Sequence, residues 1–305
     1  MTTHDPRPPA LEAAGLRKSY GDKVVLDGID ITVAAGTVFA LLGPNGAGKT
    51  TAVEILSTLI TSDAGDARVL GHDLATAPDS VRALIGVTGQ FSAVDGLLTA
   101  EENLLLIADL VHLDRAEGRR RAADLLARFD LSDVATQRAA TFSGGMKRRL
   151  DLAMTLMGDP RLIFLDEPTT GLDPRSRRAV WDIVRELVAD GVTIFLTTQY
   201  LEEADQLADT IAVLDHGRLI AQGTSAELKR LVPLGHVDVA LTGGETQRLP
   251  YDGDVRTLRA ILDDLDASGE QVADLTIHTP DLDDVFLALT GNELPGTPQP
   301  QEAGR

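Results

Sequence analysis

Val38-Phe39-Ala40-Leu41-Leu42-Gly43-Pro44-Asn45-Gly46-Ala47-Gly48-Lys49-Thr50-Thr51 decides the fold. The apolar run reads as a buried strand, and Gly43 to Thr50 has the form GxxxxGK[ST]. A helical pattern follows, with Val53, Leu56 and Ile60 expected on one face. The glycines allow backbone amides to curl around a β-phosphate, and the helix N-terminus adds its positive dipole end. Lys49 is placed to bridge the β- and γ-phosphates, and the Thr50 hydroxyl to hold Mg2+. A glycine-rich turn that merely contains a lysine would lack the strand before it and the helix after it. The stretch therefore predicts a site for a nucleoside triphosphate, formed by Gly43, Pro44, Asn45, Gly46, Ala47, Gly48, Lys49, Thr50 and Thr51.

A second apolar run, Leu162-Ile163-Phe164-Leu165, ends in Asp166-Glu167-Pro168. A strand of a parallel sheet delivers its last residues to the carboxyl edge, where ligands sit. Asp166 is thus expected near Mg2+, with Glu167 one step out to polarise an attacking water. A nucleotide-binding switch needs only the aspartate, so the added glutamate points to hydrolysis by general-base catalysis. Between these stretches lies Phe142-Ser143-Gly144-Gly145-Met146-Lys147-Arg148-Arg149, which runs into an apolar helix (Leu150, Met154, Met157). Ser143 and two glycines at a helix start make a second anion site. One chain does not need two cradles for one nucleotide, so Ser143, Gly144 and Gly145 are expected to cap the γ-phosphate of ATP held by a second copy.

With these motifs in this order, residues 11–225 resemble the ATP-binding cassette (ABC) ATPases, in which two cassettes sandwich two ATPs head to tail. The resemblance implies roles for further residues. Tyr20 is similar to the aromatic that stacks on adenine. Gln90, after Leu84-Ile85-Gly86-Val87-Thr88, resembles the glutamine that contacts Mg2+ and reports to a membrane subunit. Gly171-Leu172-Asp173 resembles the loop that crosses the dimer interface. The signature departs from the family pattern at Phe142 and Met146, where Leu and Gln are usual. Both positions flank the anion site and leave Ser143 to Gly145 in place.

A chemical departure follows the strand Val192-Thr193-Ile194-Phe195-Leu196-Thr197-Thr198. Most ABC ATPases place a histidine next; this chain has Gln199. Glutamine can donate an amide N–H to a phosphate oxygen and accept from water, but it carries no proton near neutral pH. Gln199 is expected to sense the γ-phosphate as a neutral linchpin beside Glu167. Together with Ile85 to Phe91, Phe142 to Met146 and Leu282-Asp283-Asp284-Val285-Phe286-Leu287-Ala288-Leu289-Thr290-Gly291, it makes the chain similar to the daunorubicin-resistance type of drug-export ATPase. That likeness implies a two-component exporter whose separate integral membrane permease carries the drug path, driven by two copies of this chain.

Composition agrees. No run approaches 18 consecutive apolar residues, so no transmembrane helix and no direct membrane insertion are expected. Met1 to Pro9 contains no apolar stretch of the signal-peptide kind. The chain has no cysteine, hence no disulfide or thiolate metal site, and its six histidines show no paired metal-ligand spacing. His216, in Asp215-His216-Gly217, reads as a turn residue. A net charge of −19 disfavours a nucleic-acid surface and unaided binding to anionic lipid. The expected location is therefore peripheral, on the cytoplasmic face of the cell membrane, through a protein partner. A soluble ABC ATPase working on ribosomes or DNA is the reading from another class; such chains usually carry two cassettes or long coiled-coil insertions, and neither is present. Export of a lipid or sugar intermediate also stays open, because the cassette does not touch the cargo.

The expected fold is α/β: an ABC-type P-loop nucleotide-binding domain with a helical subdomain, plus a small C-terminal α+β appendage. Residues 1–10 read as a disordered tail, 11–232 as the ATPase domain with its helical subdomain at about 91–158, 233–291 as the appendage and 292–305 as a second disordered tail. Helices are expected at Glu101 to Val111, Glu117 to Phe129 and Arg175 to Asp190, with Arg119-Arg120-Arg121 on a solvated face. In the appendage, Val237 to Leu241 and Leu275 to Ile277 alternate like strands and Val255 to Leu265 reads as helix. A last helix with Pro280 in its first turn should bury Leu282, Val285, Phe286 and Leu289. Dimer support or contact with the membrane subunit is the expected role of this part.

Overall fold

The computed structural model describes residues 8–89, 92–232, 235–269 and 271–291. In chain order the strands are β1 (Leu11–Tyr20), β2 (Lys23–Val33), β3 (Val38–Leu42), β4 (Ala64–Val69), β5 (His72–Asp73), β6 (Ile85–Thr88), β7 (Leu162–Asp166), β8 (Thr193–Thr198), β9 (Thr210–Asp215), β10 (Arg218–Gly223), β11 (His236–Leu241), β12 (Thr246–Pro250) and β13 (Val272–His278). The α-helices are α1 (Lys49–Leu56), α2 (Pro78–Arg82), α3 (Ala100–Leu110), α4 (Arg115–Arg128), α5 (Gly144–Thr155), α6 (Pro174–Ala189), α7 (Leu201–Leu207), α8 (Ser225–Lys229), α9 (Val255–Ser268) and α10 (Leu282–Thr290). Two compact units divide between Gln222 and Gly223, ahead of the boundary expected after residue 232.

In the first unit the larger sheet is ordered β10-β9-β3-β8-β7-β6. β3 pairs in parallel with β8 and β9, and β7 in parallel with β8 and β6. Every residue of β3, β7 and β8 is buried, as expected of strands covered on both faces. Phe195 of β8 locks the middle, stacking on Phe39 at 5.2 Å and tilting against Phe164 at 5.5 Å. A second, antiparallel sheet, β2-β1-β4-β5, faces the same core: Leu11, Leu16, Ile29 and Ile31 pack with Phe39, Leu41, Phe164 and the α1 residues Val53 and Leu56. Burying these side chains, about 1.5–3 kcal/mol each, holds the β3–α1 loop between the two sheets.

The helical segment expected between Gln90 and Ser143 is α3 and α4, which pack on each other and on α5. Thr99 and Glu102 close a capping box on α3, and Asp114 accepts two backbone N–H bonds at the start of α4. Arg120 pairs with Glu117 and Asp124, and Arg121 with Asp159, so the basic run lies on a salt-bridged face.

Helix α1 differs from expectation: it stops at Leu56, and Ile60 packs against the core from the following turn. Leu11–Tyr20 and Lys23–Val33 form two long strands paired antiparallel around the Gly21-Asp22 turn.

The second unit is a three-stranded antiparallel sheet, β12-β11-β13, with α9 covering one face. Its core is small: Val237, Val239, Tyr251, Ile261 and Leu265. β12 has a weakly apolar sequence, Thr-Gln-Arg-Leu-Pro, and the expectation passed over it; pairing with β11 makes it a strand. α10 buries Leu282, Val285 and Phe286, while Leu289 is half-buried. Asp281 caps this helix with Asp284 at its third position, so Pro280 precedes the cap and does not occupy the first turn as expected.

Candidate functional site

β8 joins the loop that follows β3 to the residues that follow β7. Gly43 N, at the end of β3, donates to Thr198 O, and Glu167 N, just past β7, donates to Thr197 O and Thr197 Oγ1. The threonine pair thus ties both loops to one carboxyl edge, where a parallel sheet presents ligands. Thr197 Oγ1 also donates to Asp166 Oδ1 at 2.5 Å, which orients this buried carboxylate.

The loop after β3 is held from the far side. Gly217 N donates to Ala47 O and Gly217 O accepts from Asp27 N, so the β9–β10 turn clamps the loop against β2. Gly48 has φ +111, and a Cβ there would lie 2.8 Å from Val25 O and Leu26 Cδ2; no larger residue fits. Gly48 also caps α1 without any side-chain hydrogen bond, which leaves the first amides of this helix unclaimed by protein side chains. Asn45, Gly46 and Thr50 are exposed around this N-terminus, with Pro44 and Thr51 half-buried. Unclaimed amides beside a lysine fit a polyphosphate. The exposed Thr50 hydroxyl and the Asp166 carboxylate are oxygen donors of the kind Mg2+ takes, and such an ion would neutralise phosphate charge between them.

Lys49 is 4 % exposed. Its Nζ donates to Gly43 O at 2.9 Å and Pro44 O at 3.1 Å, and lies 3.2 Å from Glu167 Oε1. Glu167 sits in the left-handed region at φ +48, and its Oε2 accepts from Thr170 Oγ1. The candidate base is therefore anchored at both carboxylate oxygens. Gln199 follows β8 directly, half-buried, one residue beyond the threonine that accepts from Gly43. Tyr20 ends β1, 52 % exposed, on the hairpin whose second strand brings Val25 to Gly48. Lys18 Nζ lies 5.7 Å from its ring centre. Gln90 lies outside the described residues.

Ser143 and the two glycines after it lie at a helix start. Ser143 caps α5 and its Oγ accepts from Met146 N; Ser143 and Gly144 are exposed. Gly145 packs so closely that a Cβ would overlap Ser176 Oγ of α6, while Leu172 Cδ2 would be 3.5 Å from a Cβ at Gly144. The signature and the Gly171–Asp173 turn are thus neighbours within one chain. Asp173 caps α6: Oδ1 accepts from Arg175 N and Ser176 N, and Oδ2 from Ser176 Oγ at 2.6 Å. The Ser176 hydroxyl, then the backbone amides, hold its carboxyl below the usual range.

Sequence reasoning missed a buried polar layer beneath these loops. Arg148 and Asp151, one turn apart on α5, pair at 3.2 Å with side chains 9 % and 4 % exposed. Arg148 Nη1 donates to Gly89 O, and Asp151 Oδ1 accepts from Ala93 N, so the pair grips the chain on both sides of Gln90. Burial lowers the Arg148 pKa and raises that of Asp151, each against the pull of the other's charge. Arg148 Nε and Nη2 have no hydrogen-bond partner among the described residues, nor has Glu203 Oε2. Glu203 is fully buried on α7 and accepts from Trp181 Nε1 at 3.1 Å; burial raises its pKa. The basic run Lys147-Arg148-Arg149 carried a charge signal in the sequence; nothing in it distinguished Arg148 from a solvated neighbour.

A family profile described as "ABC transporter" matches residues 26–170. Over most of its length the chain resembles the "Daunorubicin resistance ATP-binding protein DrrA3" of Streptomyces coeruleorubidus, 48% identical across 93% of this chain and 96% of that one. The "Daunorubicin/doxorubicin resistance ATP-binding protein DrrA" of Streptomyces peucetius is 47% identical across 93% of each chain. The "Nod factor export ATP-binding protein I" of Rhizobium sp. (strain N33) is 40% identical across 93% of this chain and 98% of that one. Among solved structures, an ATP-binding subunit of an ABC transporter superposes with a TM-score of 0.65 at 32% identity, covering 73% of this chain and 92% of that chain.

Proposed function

The chain belongs to the ABC transporter ATP-binding family, of the daunorubicin-resistance export type, and on that premise we propose that it powers efflux of a drug- or antibiotic-like hydrophobic compound through a separate membrane permease. It is a transporter ATPase, and it binds ATP. The observation that carries the proposal is the convergence of Lys49, Asp166 and Glu167 at one sheet edge, in a chain nearly half identical to drug-resistance ATP-binding proteins.

Two copies face each other, each binding MgATP through Tyr20, Gly43 to Thr51, Gln90 and Asp166. Ser143, Gly144 and Gly145 of the opposite copy complete the γ-phosphate site with the exposed N-terminus of α5. Lys49 draws charge from the β- and γ-phosphates. Glu167 accepts a proton from water as its oxygen attacks the γ-phosphorus, the bond to the β–γ bridging oxygen breaks, and ADP and phosphate are released. Gln199 donates its amide to the γ-phosphate and keeps it in line. ATP favours the closed pair and its loss releases it, so the chemistry drives motion only through that differential affinity.

The membrane subunit docks on the helical part. A cleft of about 470 Å3 lies between β6, α3 and α5, lined by Val87, Ile107, Val111 and Met154, with Asp151 at its polar side. Val87 and Val111 are exposed there, and the same cleft reaches Ala93, whose amide Asp151 holds. The chain attaches to the cytoplasmic face through that partner; among the described residues no helix is long and apolar enough to cross a membrane. The resemblance to a Nod factor export protein leaves a second cargo class, a lipid or sugar intermediate, on the same machinery.

Affinity isolation from native membranes in mild detergent, with a tag beyond Gly291, tests the reading. Recovery of one polytopic protein in equal amount supports it. Recovery from cytosol alone, or with ribosomes or DNA-binding proteins, would sink it.

A further inference from the structure

The outer face of the β12-β11-β13 sheet carries a cluster for which the nucleotide chemistry has no use. β11 and β13 run antiparallel with His236 opposite His278 and Asp238 opposite Thr276. Val237 and Val239 point into the core, so strand alternation brings His236 and Asp238 together on the other face. The two imidazoles stack with centres 4.6 Å apart and planes 20° apart. Their Nε2 atoms lie 3.5 Å and 3.6 Å from Asp238 Oδ2, and one ligand atom from each of the three residues falls within 4.8 Å of the others.

Those separations have a chemical meaning. Ligand atoms around a tetrahedral Zn2+, with bonds of about 2.0–2.1 Å, stand about 3.4 Å apart. Both histidine–carboxylate edges are already near that length. The carboxylate is also oriented from behind: Arg248 Nε donates to Asp238 Oδ1 at 2.8 Å and Nη2 to Oδ2 at 3.1 Å. Support of this kind fixes a metal-binding carboxylate in direction and keeps it ionised. His236 and His278 line a cleft of about 330 Å3, which provides the path of entry.

We propose that His236, Asp238 and His278 form a three-ligand site for a borderline divalent cation of the Zn2+ type, with water in the fourth position. Two imidazoles and one carboxylate select such an ion over Mg2+ or Ca2+, which take oxygen ligands. Binding splays the stacked rings so that both Nε2 lone pairs converge. Arg248 gives up its contact to Oδ2 and keeps the bond from Nε to Oδ1. The ion then staples β11 to β13 across the outer face of a unit whose apolar core is small, which adds stability that its side-chain packing does not supply.

The test is titration of the full, tag-free chain with Zn2+ by calorimetry in excess Mg2+, and with Co2+ by visible absorption. One Zn2+ per chain and the bands of four-coordinate Co2+ are expected. Both should be lost in the double variant His236→Ala/His278→Ala, with affinity reduced by more than about 100-fold, and both kept in His112→Ala. Asp238→Asn keeps an acceptor for Arg248 Nε and loses the one for Nη2, a milder change than removing both histidines, and should weaken Zn2+ at least about tenfold. Absence of saturable binding, or binding unchanged in the double variant, would leave a charge cluster only and overturn the proposal.

Discussion

The Lys49 ammonium stands 3.2 Å from the Glu167 carboxylate, with the two side chains 4 % and 8 % exposed. The candidate phosphate-binding lysine and the candidate base are therefore partners across the sheet edge, and each makes the other's burial tolerable. Removing one member of a buried pair strands the other's charge, at about 3–5 kcal/mol. Lys49→Ala should lower stability to urea by about 3 kcal/mol in addition to losing ATP affinity, and Lys49→Ala/Glu167→Gln should recover part of that stability. An unfolding midpoint unchanged in the single variant would contradict the pairing.

Glu167→Gln keeps an acceptor for Lys49 and can donate to the Thr170 hydroxyl, but cannot take a proton. Turnover should fall about 10²–10⁴-fold, the usual contribution of a general base, with nucleotide affinity retained. Phosphate release and fluorescent-nucleotide binding read the two quantities separately. Residual hydrolysis near the parent rate would remove Glu167 from the base role.

Gln199 is half-buried at the end of β8 and has no ionisable group. If its amide holds the γ-phosphate, Gln199→Ala loses a hydrogen bond to a charged group, about 1.5–3 kcal/mol or roughly 10–100-fold in turnover. Gln199→His should stay within a few-fold of the parent. A large gain in the histidine variant, with new pH dependence near neutrality, would show that glutamine limits this ATPase. No change in Gln199→Ala would make the residue inert.

Gly145 leaves no room for a Cβ against Ser176. Gly145→Ala should destabilise the chain by about 1–3 kcal/mol through overpacking. Gly145→Ala/Ser176→Gly should restore most of it, whereas Gly145→Ala/Ser176→Ala should not, because the new methyl would also crowd Ser176 Cβ. Equal midpoints for the two double variants would mean that the α5–α6 contact yields without strain.

Glu203 is held above the ordinary carboxylate range by burial. A raised native pKa means that the folded chain binds the proton more tightly than the unfolded one. Stability therefore falls as pH rises from about 4.3, the unfolded value, through the raised native value. Glu203→Gln does not titrate, so its stability relative to the parent should improve steadily over that window and then level off. Urea midpoints measured from pH 4.5 to 8 check this; parallel curves would show that Glu203 titrates normally.

Much of the site could be read in one dimension. Gly43 to Thr50 is a strand–turn–helix unit whose backbone conformation depends on its own glycines, and Ser143 caps the helix that it begins. Asp166 follows from position at a strand end. These assignments depend on neighbours in sequence, and the structure brings the stretches to one edge through Thr197 and Thr198. The second unit was harder to read. β12 lacks an apolar signature and becomes a strand because β11 pairs with it, while Pro280 misled because Asp281 is a better cap.

Sequence alone determined the family, the strand–glycine loop–helix unit and the order of the motifs, because each is a contiguous pattern whose conformation is local. Tertiary structure decided what those residues touch. Lys49 and Glu167 pair, Arg148 and Asp151 grip the chain around Gln90, Glu203 is buried against Trp181, and His236 meets His278. Most of these contacts join positions far apart along the chain, and their energies depend on burial. Exclusion of water turns an ordinary surface arginine or glutamate into a strongly coupled charge, and no linear pattern records where water is excluded.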